Sequence, residues 1–407
     1  MKRYLGWMRD FLVGVFIFVV CGMVLSAYIK LEPPASVVTT LFRMADQMLL
    51  NVLIIILGVI LLIGIVLWKK RGKIREFTGV CMILIGICFI GTAIQWMRLL
   101  TATSIKTQID YKPIKAGESQ KHSVLKEVKD ASKELGVDEC KVYCPSEGAK
   151  TCIIYMNYGG WNVQDESMGQ QVYQFCEKEG YGFIRFAKAR GEGKYIDAMA
   201  LEASEALDKL LDEMQFEHVF LCGGSAGGHM ALLCAYGTEQ NERLPMKNLA
   251  IDGVIGLYPC VDPEASYDYF VGADDKNKSV LDRIGDKLYG MVYGDEDSTL
   301  GNSTRTLDES VFGLRNDPQA FYEVSAIKNL IDGKQVPVLI VQGALDTMNY
   351  VESVRTFTEL LKNKENVSAY LELPGTDHVF DIMPTAAWKR CEMEMTGFIR
   401  TVISDNQ

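Results

Sequence analysis

The sequence predicts an α/β protein whose mostly parallel sheet carries helices on both faces, preceded by three transmembrane helices. Three observations lead there. Short apolar runs alternate with amphipathic helical stretches from about residue 121 to the end. Three long uncharged apolar segments fall within the first hundred residues. A serine flanked by glycines, in VFLCGGSAGGHM (219–230), sits where a strand-like run passes straight into a helical one.

In chain order the membrane comes first. Of the 407 residues 48% are hydrophobic, and the excess is local. Segments 11–29, 48–68 and 77–97 each approach the roughly 20 residues a bilayer requires. LSA (25–27) loosely resembles a signal-peptide cleavage site, but two further segments behind it favour an anchor of three helices. Lys2, Arg3 and Arg9 precede the first segment, and Lys69, Lys70, Arg71, Lys73 and Arg75 crowd the link between the second and third. Only Lys30 and Arg43 lie in the link between the first and second. The basic segments belong on the cytoplasmic side, so three crossings place everything after Met97 outside the cell. This divides the chain into an anchor (1–98), a linker (99–120) and a globular α/β domain (121–407).

Charge follows the same division. Residues 1–100 hold 11 Lys and Arg against four acids; the remainder holds 31 against 48. An acidic exported domain argues against a nucleic-acid partner. Eight of the 11 cysteines lie in that domain, where thiols often oxidise. Cys140 and Cys144 cannot pair if CKVYC is a strand, since four residues span about 13 Å. Cys222 and Cys234 fall in a buried strand and helix, where a free thiol acts as a small hydrophobe.

Within the domain, SVLKEVKDASKELG (123–136) has helical spacing and stops at a glycine. CKVYCP and TCIIYMN read as strands joined by a turn, and GFIRFA (182–187) as another. DAMALEASEALDKLLDEM (197–214) is a strong amphipathic helix. Strand HVFLC (218–222), helix GGHMALLCAYG, strand DGVIGLYP (252–259) and strand PVLIVQG (337–343) follow. Helix ESVRTFTELLKNK (352–364) and strand SAYLELP (368–374) complete the pattern. Residues 262–325 break it: they are acidic, rich in Asp, Tyr and Gly, and suit a cap over an active site.

A strand that turns at once into a helix holds its apex residue in a strained conformation. Glycines two before and two after, Gly223 and Gly227, remove side chains that would collide there. Ser225 is thereby raised at the carboxyl end of the sheet. A hydroxyl becomes nucleophilic only when a held base takes its proton. Of four histidines, His122 lies near the linker and His218 at the far end of the strand. His229 is four residues along the serine's own helix, suited to packing or support. His378, on a loop after the last strand, remains as the base. Asp346, after the preceding strand, is the acid; Asp377 is badly placed to hold its own neighbour's ring. The glycine pair in YMNYGGWN (155–162) makes Gly160 and Trp161 candidate backbone donors for an oxyanion, with Ala226 a third.

CKVYCPSEGAKTCIIYMNYGGW, VFLCGGSAGGHMALL, VPVLIVQGALDTMN and LPGTDHVF resemble the esterase/lipase branch of the α/β-hydrolase superfamily. The closest resemblance is to its hormone-sensitive-lipase-like and acetyl- or feruloyl-esterase-like members, over residues 121–400 and not the anchor. The resemblance implies an α/β-hydrolase fold and the triad order Ser225, Asp346, His378. Two positions depart from the family pattern. Tyr158 stands where a histidine usually supports the oxyanion loop, and Thr347 follows the acid where proline is frequent. The expected function is a membrane-anchored serine esterase of short acyl or acetyl esters, needing no cofactor or metal. Its substrate is a small-molecule, glycan or lipid ester. A transacylase on envelope glycan or lipid, or a catalytically silent tethered module, fits the same residues.

Overall fold

Among the described residues eleven strands form, nine of them in one sheet whose central members are runs rich in β-branched and aromatic residues. The structure, a computed structural model, describes residues 19–33, 35–40, 43, 56–60, 76–117, 123–242, 244–272, 278–293, 299–313, 318–332 and 335–405. The strands are β1 (Ser104–Thr107), β2 (Lys126–Asp130), β3 (Glu139–Cys144), β4 (Thr151–Met156), β5 (Tyr158–Gly159), β6 (Asn162–Val163), β7 (Gly182–Ala187), β8 (His218–Gly224), β9 (Gly253–Leu257), β10 (Val338–Gly343) and β11 (Ser368–Leu373). After helical residues at 19–26, 36–40 and 56–60, the helices are α1 (Glu76–Leu100), α2 (Ser132–Leu135), α3 (Gln170–Glu179), α4 (Ile196–Glu213) and α5 (Ala226–Tyr236). After β9 come α6 (Pro263–Val271), α7 (Val280–Tyr293), α8 (Leu300–Phe312), α9 (Pro318–Glu323) and α10 (Ala326–Asp332); α11 (Val351–Asn363) and α12 (Ala386–Asp405) flank β11.

Strand order is β1-β11-β10-β9-β8-β4-β7-β3-β2. The six strands from β11 to β7 are parallel; β1, β3 and β2 join antiparallel at the edges. Every residue of β4, β7, β9 and β10 is buried, as central parallel strands covered on both faces must be. Alternation divides the core. Ile154, Leu221 and Ile340 face Leu207, Leu233 and Phe357 of α4, α5 and α11. Ile153, Phe220 and Leu339 face Phe175, Trp388 and Phe398 of α3 and α12. The chain leaves β4 through α3 to β7, then returns through α4 on the opposite face to β8, on the other side of β4. The crevice between the carboxyl ends of β4 and β8 is therefore the point where strand order reverses.

Several sequence expectations need correction. The stretch 123–136 is an exposed edge strand, β2, plus the single turn α2, because pairing with β3 overrides weak helical spacing. The segment assigned as linker supplies β1, which pairs with β11. The 262–325 insert contains helices α6 to α9. Among the described residues one helix, α1, is long and apolar enough to cross a membrane, not three. Most of segments 11–29 and 48–68 lies outside the described residues. Along α1, Ile83, Ile87, Ile90 and Ile94 form an exposed row, while Cys88 packs with Val20, Met23, Val24 and Leu57.

Candidate active site

The elbow forms where β8 meets α5. Ser225 has φ 53° and ψ −121°, strained for a residue with a side chain. Its N–H is anchored on the Leu257 carbonyl of the next strand at 2.9 Å. A Cβ on Gly223 would stand 2.4 Å from the Gly227 carbonyl group, and one on Gly227 would stand 2.2 Å from Met156 O. Both obstacles are backbone and cannot swing aside, so these positions require glycine.

The loops after β10 and β11 bring the other two side chains to the serine. His378 Nε2 lies 2.9 Å from Ser225 Oγ, and its Nδ1 lies 2.8 Å from Asp346 Oδ2. Asp346 Oδ1 accepts the backbone N–H groups of Met348 and Asn349, each at 2.8 Å, and Gln342 Nε2 donates to Oδ2 at 2.8 Å. A carboxylate so surrounded orients the imidazole with Nδ1–H toward itself and leaves Nε2 free to accept from the serine. Burial disfavours the charged imidazole, but Asp346, assisted by Asp377 and Asp381, outweighs it and raises the His378 pKa above its ordinary value.

The 158–163 segment is a hairpin, β5 and β6, with Gly160 and Trp161 both at positive φ, 53° and 57°. It lies beside the elbow, since Gly227 abuts both Met156 O and Tyr158 O. Ala226 opens α5, and its N–H is among the first-turn donors that have no partner inside the helix. Tyr158 does not replace a histidine in holding this hairpin: its hydroxyl turns away and accepts from Lys188 N at 2.7 Å. Gln164 and Asn157 brace it instead, through Gln164 Nε2 to Gly159 O at 3.1 Å and Asn157 Nδ2 to Gln164 O at 2.8 Å.

His229 is wholly buried beside this hairpin. Trp161 Nε1 donates to its Nδ1 at 3.0 Å, so Nε2 carries the proton and donates to Val324 O at 2.6 Å. Burial lowers its pKa to about 4, so it stays neutral. The Trp161 ring also meets Phe312 of α8 with centroids 5.0 Å apart, which ties the hairpin to the insert. A cavity of about 260 Å³ beside it is lined by Trp161, Asn162, Arg190, Lys194, Tyr195 and Ser310.

His218 pairs with Asp252 at 3.2 Å at the amino end of β8, remote from the elbow, and His122 lies outside the described residues. Three site groups went unnoticed in the sequence. Gln342 shows as a polar residue in the otherwise apolar PVLIVQG. Tyr258, whose ring packs 4.5 Å from His378, and Asp381, which accepts from the Tyr258 hydroxyl, carry no pattern that singles them out.

Comparison with known proteins adds four findings. Esterase LipC of Mycobacterium tuberculosis (strain ATCC 25618 / H37Rv) is 28% identical over 185 residues. The match covers 44% of this chain and 38% of that relative, well under half of the relative's length. Esterase B from Lactobacillus rhamnosis superposes with a TM-score of 0.47 at 14% identity, covering 77% of this chain and 94% of that one. Thermogutta terrifontis esterase Est2, butyrate bound, superposes with a TM-score of 0.43 at 15% identity, covering 68% and 92%. The BD-FAE family model matches residues 140–361, more than half of the sequence and including both the hairpin and the elbow, and the chain belongs to that family.

Proposed function

We propose that the protein is a serine carboxylic-ester hydrolase in which Ser225 is the nucleophile, His378 the general base and Asp346 its orienting acid. The observation that carries this reading is the unbroken chain from Ser225 Oγ to His378 Nε2 at 2.9 Å and from Nδ1 to Asp346 Oδ2 at 2.8 Å. Ser225 attacks the ester carbonyl as its proton passes to His378. The N–H groups of Gly160, Trp161 and Ala226 receive the oxyanion. His378 then protonates the leaving alcohol, and water releases the acyl group by the same route. The name of the matched relative, esterase LipC, supports the same reaction class.

The cavity beside Trp161, one of the proposed oxyanion donors, is bordered by Arg190, Lys194 and Tyr195, which suits a polar portion of the ester. Membrane attachment through α1 is supported by the exposed isoleucine row and by the basic run at 69–75 just before the helix. By the preference for basic residues on the cytoplasmic side, that run favours a cytoplasmic start for α1 and a hydrolase domain beyond the membrane.

The test is hydrolysis of p-nitrophenyl acetate, butyrate and octanoate by the full chain in detergent, beside its Ser225→Ala partner. Serine-dependent turnover that declines with acyl length is expected. Equal turnover by the two proteins would remove the reading.

A further inference from the structure

The two loops that carry the acid and the base are clasped together by a group outside the triad. Asp377 Oδ1 accepts from Thr347 N at 2.9 Å, Thr347 Oγ1 at 2.8 Å and His378 N at 2.8 Å. Thr347 follows Asp346 and can serve twice because it is not proline, which has no N–H to give. The other oxygen, Oδ2, receives Arg43 Nη1 at 2.9 Å, and the same nitrogen donates to Leu345 O at 2.7 Å. The remaining arginine donors go to Ser26 O at 2.9 Å, Ile29 O at 3.0 Å and Thr39 Oγ1 at 2.6 Å. All five N–H groups of the guanidinium thus have acceptors, two on the catalytic loops and three in residues 26–39. Both charged side chains are 1% exposed. Around it, Thr40 Oγ1 donates to Thr347 Oγ1 at 3.0 Å, and Gln95 Nε2 to Pro374 O at 2.6 Å.

We propose that Arg43 is a positioning residue for the triad, so that the segment before α1 is a working part of the active site as well as a tether. The inference rests on the hydrolase reading above. By holding Leu345 O and Asp377, Arg43 sets the spacing between the immediate neighbours of Asp346 and His378. Its charge also neutralises Asp377. His378 is faced by Asp346 and Asp377 from the two loops, Asp381 from its own, Tyr258 from the end of β9, and beyond Asp377 by Arg43. A lysine has three donors in a different arrangement and cannot reproduce the contact.

The experiment uses the full chain in detergent. A fluorophosphonate probe titrates the reactive serine, and kcat is expressed per labelled site. Arg43→Met and Arg43→Lys are expected to lose about 10- to 100-fold in kcat with KM for p-nitrophenyl acetate little changed, as for a displaced catalytic group. In Asp377→Asn the unopposed guanidinium faces His378, and the acid limb of kcat/KM moves to lower pH. Adding Arg43→Met removes that charge and moves the limb back toward wild type. Wild-type turnover per labelled serine in both Arg43 variants overturns the inference. So does a lower labelled fraction with unchanged turnover per site, which marks a purely structural role, or an acid limb that ignores both Asp377 variants. A wild-type chain that neither labels nor hydrolyses any ester instead removes the hydrolase reading itself.

Discussion

The serine elbow and the acid–base loops meet within 3 Å of one another, yet they are held in opposite ways. The elbow is a local object: Gly223, Ser225 and Gly227 lie within five residues, and their glycines are required by backbone contacts to Gly227 and Met156. The Asp346–His378 pair is assembled from a distance. Asp346 and His378 are 32 residues apart, and Asp377 is joined to an arginine 334 residues away. Removing contacts near the elbow should therefore abolish the nucleophile, while removing contacts near the loops should leave it present but poorly served.

Ser225→Ala breaks the elbow side outright, with a loss of roughly 10⁶-fold in kcat, loss of phosphonate labelling and an unchanged thermal midpoint. Asp346→Asn breaks the other side, costing about 10⁴-fold because the ring loses the partner that fixes its tautomer. Ser225 should still be present there, and labelling should slow rather than vanish. Gly227→Ala brings a Cβ within 2.2 Å of Met156 O. It should destabilise the domain by about 3 kcal/mol, read as a lower midpoint in chemical denaturation.

Two pH measurements sharpen the contrast. In wild type, the raised pKa of His378 should place the acid limb of kcat/KM above the ordinary histidine value, read from a pH–rate profile. Asp346→Asn should move that limb down. The Asp346–His378 pair also contributes stability that is complete below the unfolded histidine value of about 6.5 and fades as pH rises through the raised value of His378. His229 behaves oppositely, because it is buried in its neutral form with a pKa of about 4. Its contribution is present above the unfolded histidine value of about 6.5 and declines by on the order of 3 kcal/mol as pH falls toward 4. His229→Gln should flatten that decline in a midpoint-versus-pH series. Smallest of all, Thr347→Val removes one hydroxyl donor to Asp377 and should cost about 1 kcal/mol in stability.

Legibility in the sequence follows the same division. The apolar runs that become β4, β8, β9 and β10, and the amphipathic α4, stand out because central elements must be apolar toward the layers that cover them. At the sheet edges that requirement lapses. Lys126–Asp130 is polar and exposed, and only its pairing with β3 makes it a strand. Ser104–Thr107 reads as linker for the same reason until β11 is alongside. Tyr158 occupies a recognisable place in the motif, but its side chain serves Lys188 and the hairpin is braced by Gln164 and Asn157. Arg43 enters a sequence analysis only as one of two basic residues between the first two apolar segments.

What the sequence by itself determined is the α/β rhythm and the short-range chemistry: a glycine-framed serine between strand and helix, with an aspartate and a histidine following in order. Period, turn residues and local sterics are written in neighbouring positions, so they can be read there. Only the tertiary structure decided which polar residues would surround that chemistry. Tyr258, Asp377, His229 and Arg43 gain their partners through burial, where each donor and acceptor must be matched by whatever group folding brings near. That matching couples positions hundreds of residues apart, and no local pattern records it.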